Sequence, residues 1–175
     1  MRKILKPDFF NHPTLIVAQN LLGKFLVRKI GNKEIASMIT EVEAYDGFND
    51  KASHASRGRT LRNEVMFGEA GRWYVYLIYG MHWMLNVVTG PKDYPAAILI
   101  RGVADAKSPG KLTKYFQINK SLNSKITSKT TGLWIEDRGV KVEAKNILKT
   151  KRIGVHYAGP YWSRRRYRFL IEIPQ

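Results

Sequence analysis

Apolar positions recur along the chain with two different periods, and the switches between them mark the elements. Over residues 15–22, Leu15, Ile16, Ala18, Leu21 and Leu22 fall at helical spacings, with Thr14 after Pro13 as a candidate N-cap and Gly23 as the stop. Residues 24–30 and 34–45 instead alternate or cluster β-branched and apolar side chains around Gly31-Asn32, the pattern of two strands joined by a tight turn. Further strands are predicted over 73–78, 83–89 and 96–103, with Tyr79-Gly80-Met81 as the turn between the first two. Ser108-Pro109-Gly110 opens a turn before a short helix over 111–117, and residues 132–155 read as short strands with basic loops. Residues 46–71 are different: polar, with little periodicity, and long. Such a loop inside a compact domain is usually functional. No internal repeat or low-complexity linker interrupts the chain, so residues 1–175 are expected to form one mixed α/β or α+β domain.

Composition supports that reading and adds a charge. With 175 residues, 44% of them hydrophobic, the chain can bury a core and is not a disordered or collagenous sequence. Thirty Lys and Arg against fourteen Asp and Glu leave +16, far more than solubility needs, which points to a polyanion such as nucleic acid or an anionic membrane surface. The excess is C-terminal, with net +4 over residues 1–90 and +12 over 91–175. Residues 106–135 and 144–171 contain no acid at all, so their field is not neutralised locally. No cysteine is present, which excludes disulfide frameworks, thiolate-held metals and thiol nucleophiles, and favours a reducing compartment. Lys6, Pro7 and Asp8 interrupt the region where a signal peptide would need its apolar stretch, and no apolar run approaches a membrane span, so the expectation is a cytoplasmic protein without a membrane partner.

Candidate chemistry concentrates around residues 39–54. If 39–45 is a regular strand, Ile39, Glu41, Glu43 and Tyr45 share one face, and repulsion between the two carboxylates would raise the pKa of at least one unless basic groups offset it. A general acid or base is made this way. Glu41, Glu43, Asp46, Asp50 and His54 would suffice for a magnesium or manganese nuclease site, but no ligand spacing marks them, and no metal is expected. Tyr74 and Tyr76 alternate onto one face, while Tyr79 beside Gly80 can protrude from its turn as a wedge for duplex DNA.

These pieces, in order, resemble the alkyladenine, or 3-methyladenine, DNA glycosylases of the mammalian type, which have bacterial members. The matching segments are Leu21-Leu22-Gly23-Lys24, Glu41-Val42-Glu43-Ala44-Tyr45, His54, Arg62-Asn63, Met66-Phe67, Tyr74-Val75-Tyr76, Tyr79-Gly80-Met81, Asn86 and Leu99-Ile100-Arg101. Weaker similarity continues through Ser108 to Leu112, Arg152 to Val155, and Arg168-Phe169. The resemblance implies an α+β fold, a curved antiparallel sheet with surrounding helices, and a monomer that excises damaged purines from double-stranded DNA without a cofactor, at the nucleoid if the source is bacterial. It implies Glu43 as the catalytic carboxylate that deprotonates water, with Arg101 near that water. Tyr45, His54, Tyr76 and Asn86 would then form the base pocket, and Tyr79 with Met81 the intercalating tip. Arg57, Arg62, Lys111 and Arg152 are expected on the DNA backbone. His82 and Ser108 depart from the family pattern and put substrate breadth and local loop shape in question. Two other readings remain at this point: a structured-RNA-binding module, which leaves Glu43 without a task, and the metal-dependent nuclease.

Overall fold

Ten strands, every pair antiparallel, make one open sheet in the computed structural model, which describes residues 2–172. In chain order they are β1 (Lys3–Ile4), β2 (Phe25–Ile30), β3 (Lys33–Asp46), β4 (Trp73–Ile78), β5 (His82–Val88), β6 (Ala96–Val103), β7 (Ala106–Lys107), β8 (Leu133–Asp137), β9 (Leu148–Thr150) and β10 (Arg168–Leu170). Four short helices accompany them: α1 (Pro7–Phe10), α2 (Thr14–Leu21), α3 (Pro109–Tyr115) and α4 (Gly159–Ser163). The sheet runs β1-β8-β2-β3-β6-β5-β4, with β7 on β6 and β10 bridging β3 and β9. The fold is α+β, as the resemblance implied.

The 14-residue β3 is the axis of this arrangement. Its first half pairs with β2, from Phe25 opposite Met38 to Ile30 opposite Lys33, and Gly31 takes the positive φ that the two-residue turn needs. Its second half pairs with β6 on the opposite edge, while β10 takes the edge that β2 has left, with Arg168 opposite Glu43 and Leu170 opposite Glu41. Glu43 therefore lies in mid-sheet with a strand on each side. Register shifts around Glu41 mark a bulge, and this corrects the expected alternation: Ile39 is not on the face of Glu41 and Glu43 but fully buried with Val42 and Ala44.

Alternation elsewhere sorts the two faces of the sheet. Val75, Val87 and Ile98 turn toward α2 and α3, where Val17, Ala18, Leu21, Leu112 and Phe116 complete the main core. Each such Val, Leu, Ile or Phe side chain contributes about 1.5–3 kcal/mol by leaving water. Their neighbours Tyr74, Val88 and Ala97 point the other way, onto Ala55, Met66 and Phe67 of the polar loop. One face of the sheet is thus closed by helices and the other by loops, and the loop side holds the polar cavities.

Helix α2 matches expectation in extent, but Thr14 is not its cap; Pro13 holds that position and the Thr14 hydroxyl donates to Asp46 at 3.0 Å. Helix α3 begins two residues earlier than expected, with Pro109 in its first turn and the Ser108 hydroxyl oxygen accepting from the Lys111 N–H. Among the described residues no helix is long and apolar enough to cross a membrane.

Candidate active site

The long polar loop is built rather than loose. Two 3-10 turns, His54–Arg57 and Glu64–Phe67, are its ordered parts. Asn63, itself buried, clamps them: its amide donates to the carbonyls of His54 and Gly58, and its oxygen accepts from the Thr60 N–H. The clamp holds His54 over the sheet. There the imidazole Nδ1 shares a 3.0 Å hydrogen bond with the Tyr74 hydroxyl, and its ring meets Tyr76 edge-on at 4.7 Å. Burial, helped by the Arg62 charge, lowers the His54 pKa and so favours the neutral ring. Burial pushes Tyr74 up to about 12, which keeps its hydroxyl protonated.

These residues wall a small cavity of about 40 Å³ lined by Tyr45, His54, Met66, Tyr76, Asn86 and Tyr157, among others. Asn86 is buried at its back, its amide donating to the Tyr74 carbonyl. The cavity opens through Tyr45, His54, Tyr76 and Tyr157 into a cleft of about 820 Å³. Arg62, Tyr79, Arg101 and Lys111 line that cleft. Arg62 donates to the Leu77 carbonyl at 3.2 Å and lies over the Tyr76 ring at 5.5 Å. Gly110 lets α3 approach β5 closely, since a Cβ there would sit 2.9 Å from the His82 imidazole.

Glu43 lies beneath this surface with no accessible area. Its carboxylate accepts from the Ile153 N–H at 2.7 Å and the Tyr45 hydroxyl at 2.9 Å, and Arg101 stands 3.5 Å away. Desolvation raises its pKa, against the opposing pull of Arg101, Ile153, Tyr45 and Arg152. Repulsion from Glu41, the expected cause, is not the source. Glu41 is occupied otherwise: it accepts from Arg101 Nε at 2.9 Å and from Arg168 Nε at 2.6 Å. The two carboxylates are two residues apart, yet only Glu43 is sealed from solvent.

At the far end of the cleft, Tyr79 and Gly80 both take positive φ, at 50° and 66°. Tyr79 is 88% exposed and Met81 69%, so the hairpin presents an apolar tip to solvent. Positive φ at both central residues is the geometry of a tight hairpin turn, closed here by the Met81 N–H donating to the Ile78 carbonyl. Arg57, at the end of the turn that carries His54, is exposed, as is Lys111.

Two corrections follow. Arg152 does not face DNA: its side chain is wholly enclosed, paired with Asp50 and stacked against Tyr45 and Tyr167. A guanidinium so placed cannot reach a phosphate. The acids proposed for a nuclease centre do not converge either, because Glu41 is bound by two arginines, Asp50 by Arg152, and Asp46 accepts from Thr14 and Tyr94. No three metal-ligating side chains come together among the described residues. Sequence reasoning also passed over three participants: Tyr157 at the cavity mouth, the Ile153 N–H, and Asp50 as the partner of Arg152. Only Tyr157 carried a signal, as an aromatic next to a segment already singled out.

A sealed carboxylate of raised proton affinity, under an aromatic cavity that opens into a cleft with a basic wall, is the layout of an enzyme acting on a flat ring carried by a polyanion. Comparison with known proteins gives that class its family. The sequence matches the family described as Methylpurine-DNA glycosylase (MPG) over residues 8–108 and 104–174, and the chain belongs to this family of DNA glycosylases. A relative from Methanocella arvoryzae is 45% identical, covering 89% of this chain and 86% of its own. One from Legionella pneumophila (strain Paris) is 41% identical over 98% and 96%, and one from Anaeromyxobacter dehalogenans is 41% identical over 96% and 83%. All three are provisionally named 3-methyladenine DNA glycosylases.

Proposed function

We propose that the protein acts as a monomer on double-stranded DNA, rotates alkylated or deaminated purines such as 3-methyladenine, 7-methylguanine or hypoxanthine out of the helix, and hydrolyses their N-glycosidic bond without cutting the strand. The observation that carries this reading is the position of Glu43, sealed directly under an aromatic cavity and hydrogen-bonded to one of its walls, Tyr45. A base inside a duplex cannot reach that carboxylate, so the nucleotide must swing out at a cost of a few kcal/mol, least where damage has weakened pairing. Tyr79 fills the gap left in the stack, while Tyr45, His54 and Tyr76 receive the base. Each stacked ring offsets the cost by about 1–3 kcal/mol.

Glu43 takes a proton from water as the water oxygen bonds to C1′ and the bond from C1′ to the base nitrogen breaks with its electron pair. A 3- or 7-alkylated purine is cationic and leaves as a neutral base, so it needs no acid, and electron-rich Tyr faces favour the cation before it leaves. The sugar passes through a positively charged transition state, which Glu43 also stabilises by charge. Arg101 holds Glu41 and approaches Glu43, so it fixes the carboxylate's orientation and can meet the backbone of the flipped nucleotide.

The test is a duplex with a single hypoxanthine or 7-methylguanine, incubated with magnesium ions and, in parallel, with EDTA. Free base and an alkali-labile abasic site are expected, with no nick before alkali. No release from any alkylated or deaminated purine would overturn the reading, and nicking abolished by EDTA would restore the nuclease.

A further inference from the structure

We propose that the buried Asp50–Arg152 pair is a positioning device that aims the Glu43 carboxylate and locks it to the wall of the base pocket; this rests on the glycosylase reading above. Arg152 donates from Nη1 to Asp50 Oδ2 at 2.5 Å and from Nη2 to Asp50 Oδ1 at 2.8 Å. The same two nitrogens reach the carbonyls of Ala44 at 2.8 Å and Trp162 at 3.4 Å. The guanidinium carbon lies over two rings, 4.8 Å from the Tyr45 centroid and 5.2 Å from that of Tyr167. Asp50 in turn accepts the N–H groups of Asp46 and Ala52. One ion pair thus joins residues 44–52 to residues 152–162, about a hundred positions later in the sequence.

The site residues are the ones it fastens. Ala44, whose carbonyl Arg152 holds, sits between Glu43 and Tyr45. Ile153, the next residue after Arg152, supplies the N–H that Glu43 accepts at 2.7 Å. Ala52, held by Asp50, accepts from the Tyr157 hydroxyl at the cavity mouth. A lysine could supply the charge but not the planar fork that reaches four acceptors at once. The groups around Glu43 are Tyr45 on its own strand, Arg101 from β6, Tyr76 from β4, and Arg152, the Ile153 N–H and Tyr157 from the segment after β9; Arg168 of β10 is opposite in register but spends its guanidinium on Glu41. Arg152 is one of the charges that keep the Glu43 pKa from rising further.

Arg152→Gln, Arg152→Lys and Asp50→Asn are compared with the wild type and Glu43→Gln, measuring single-turnover release of hypoxanthine across pH, melting temperature, and affinity for duplex with an abasic-site analogue. Arg152→Gln is expected to lose about tenfold or more in rate, equivalent to about 1.4 kcal/mol, with its acid limb moved to higher pH. Arg152→Lys should lose rate without that move. Should Arg152→Gln not fold, Asp50→Asn carries the test, because it keeps the side chain's shape and one acceptor: a rate loss with near-unchanged abasic-site affinity supports positioning. Wild-type rate and pH profile in the folded variants, with only a lower melting temperature, would overturn it. An inactive wild type would instead reject the glycosylase reading, and full activity in Glu43→Gln would reject the role of Glu43.

Discussion

The inner pocket and the outer rim of the cleft are built from opposite materials. Glu43, Tyr45, His54 and Asn86 each have a hydrogen-bond partner from the protein, and the strands or clamped turns beneath them leave little freedom. Lys111, Tyr79 and Met81 stand in solvent, and the rim's polar contacts are few. A site that must stabilise a transition state gains from groups already in place, whereas a surface that must accept many sequences gains from exposed charge and a protruding ring. The two regions should therefore fail in different ways when altered.

Glu43→Gln gives the largest effect: a loss in single-turnover release of about 10²–10⁴-fold, the usual range for a removed general base, with lesion-DNA affinity retained. Glu41→Gln should cost much less, since that carboxylate is taken up by Arg101 and Arg168. Loss of DNA binding in Glu43→Gln would break the division between pocket and rim. In the wild type, because a base must be ionised to act and burial raises the pKa of Glu43, the rate should fall with acid already above the ordinary carboxylate range. A pH–rate profile flat down to pH 4 would contradict this.

Tyr79→Ala is the next largest. Losing about 1–3 kcal/mol of stacking should lower capture of the flipped state, seen with a fluorescent base beside the lesion, while release from single-stranded substrate stays close to normal. Lys111→Ala and Arg62→Ala follow, each a few-fold in affinity, with the slope of log affinity against log salt reduced by about 0.9 for each phosphate that is no longer neutralised. An unchanged slope would remove those residues from the rim.

The smallest effect is on stability. The folded chain binds the Glu43 proton more tightly than the unfolded chain does, so stability falls as pH rises through the raised value, and at neutral pH the wild type bears the full cost of the buried charge. Glu43→Gln should then melt slightly higher than wild type at pH 7 and lose that advantage in acid. Thermal melts at two pH values decide it.

Much of this was legible in the chain, for local reasons. Gly31-Asn32 and Tyr79-Gly80 announced their hairpins because turn chemistry is local, and period-two alternation correctly sent Tyr74 and Tyr76 to one face. What the sequence withheld was long-range. The pairing of β10 with β3 joins residues 41–43 to 168–170, and no short pattern in Arg168-Phe169-Leu170 distinguishes that strand from a basic surface run. Arg152 looked like its neighbours Lys149 and Lys151, which are exposed, because its partner Asp50 lies about a hundred positions earlier. The bulge near Glu41 depends on the partner strand β6, so regular alternation misplaced Ile39.

The return of the C-terminal strand to β3 also has a consequence for the order of synthesis. A growing chain emerges at about 5–20 residues per second, N-terminus first. Glu41 and Glu43 are therefore made well before Arg101, and longer still before Ile153, 110 positions after Glu43, and Arg168, 127 positions after Glu41. Through that interval Glu43 has Tyr45 beside it but neither the Ile153 N–H nor the β10 strand that flanks it in the folded chain. A ribosome stalled short of residue 168 therefore holds a chain with the β2–β3 hairpin and the polar loop but without the strand that lies beside Glu43.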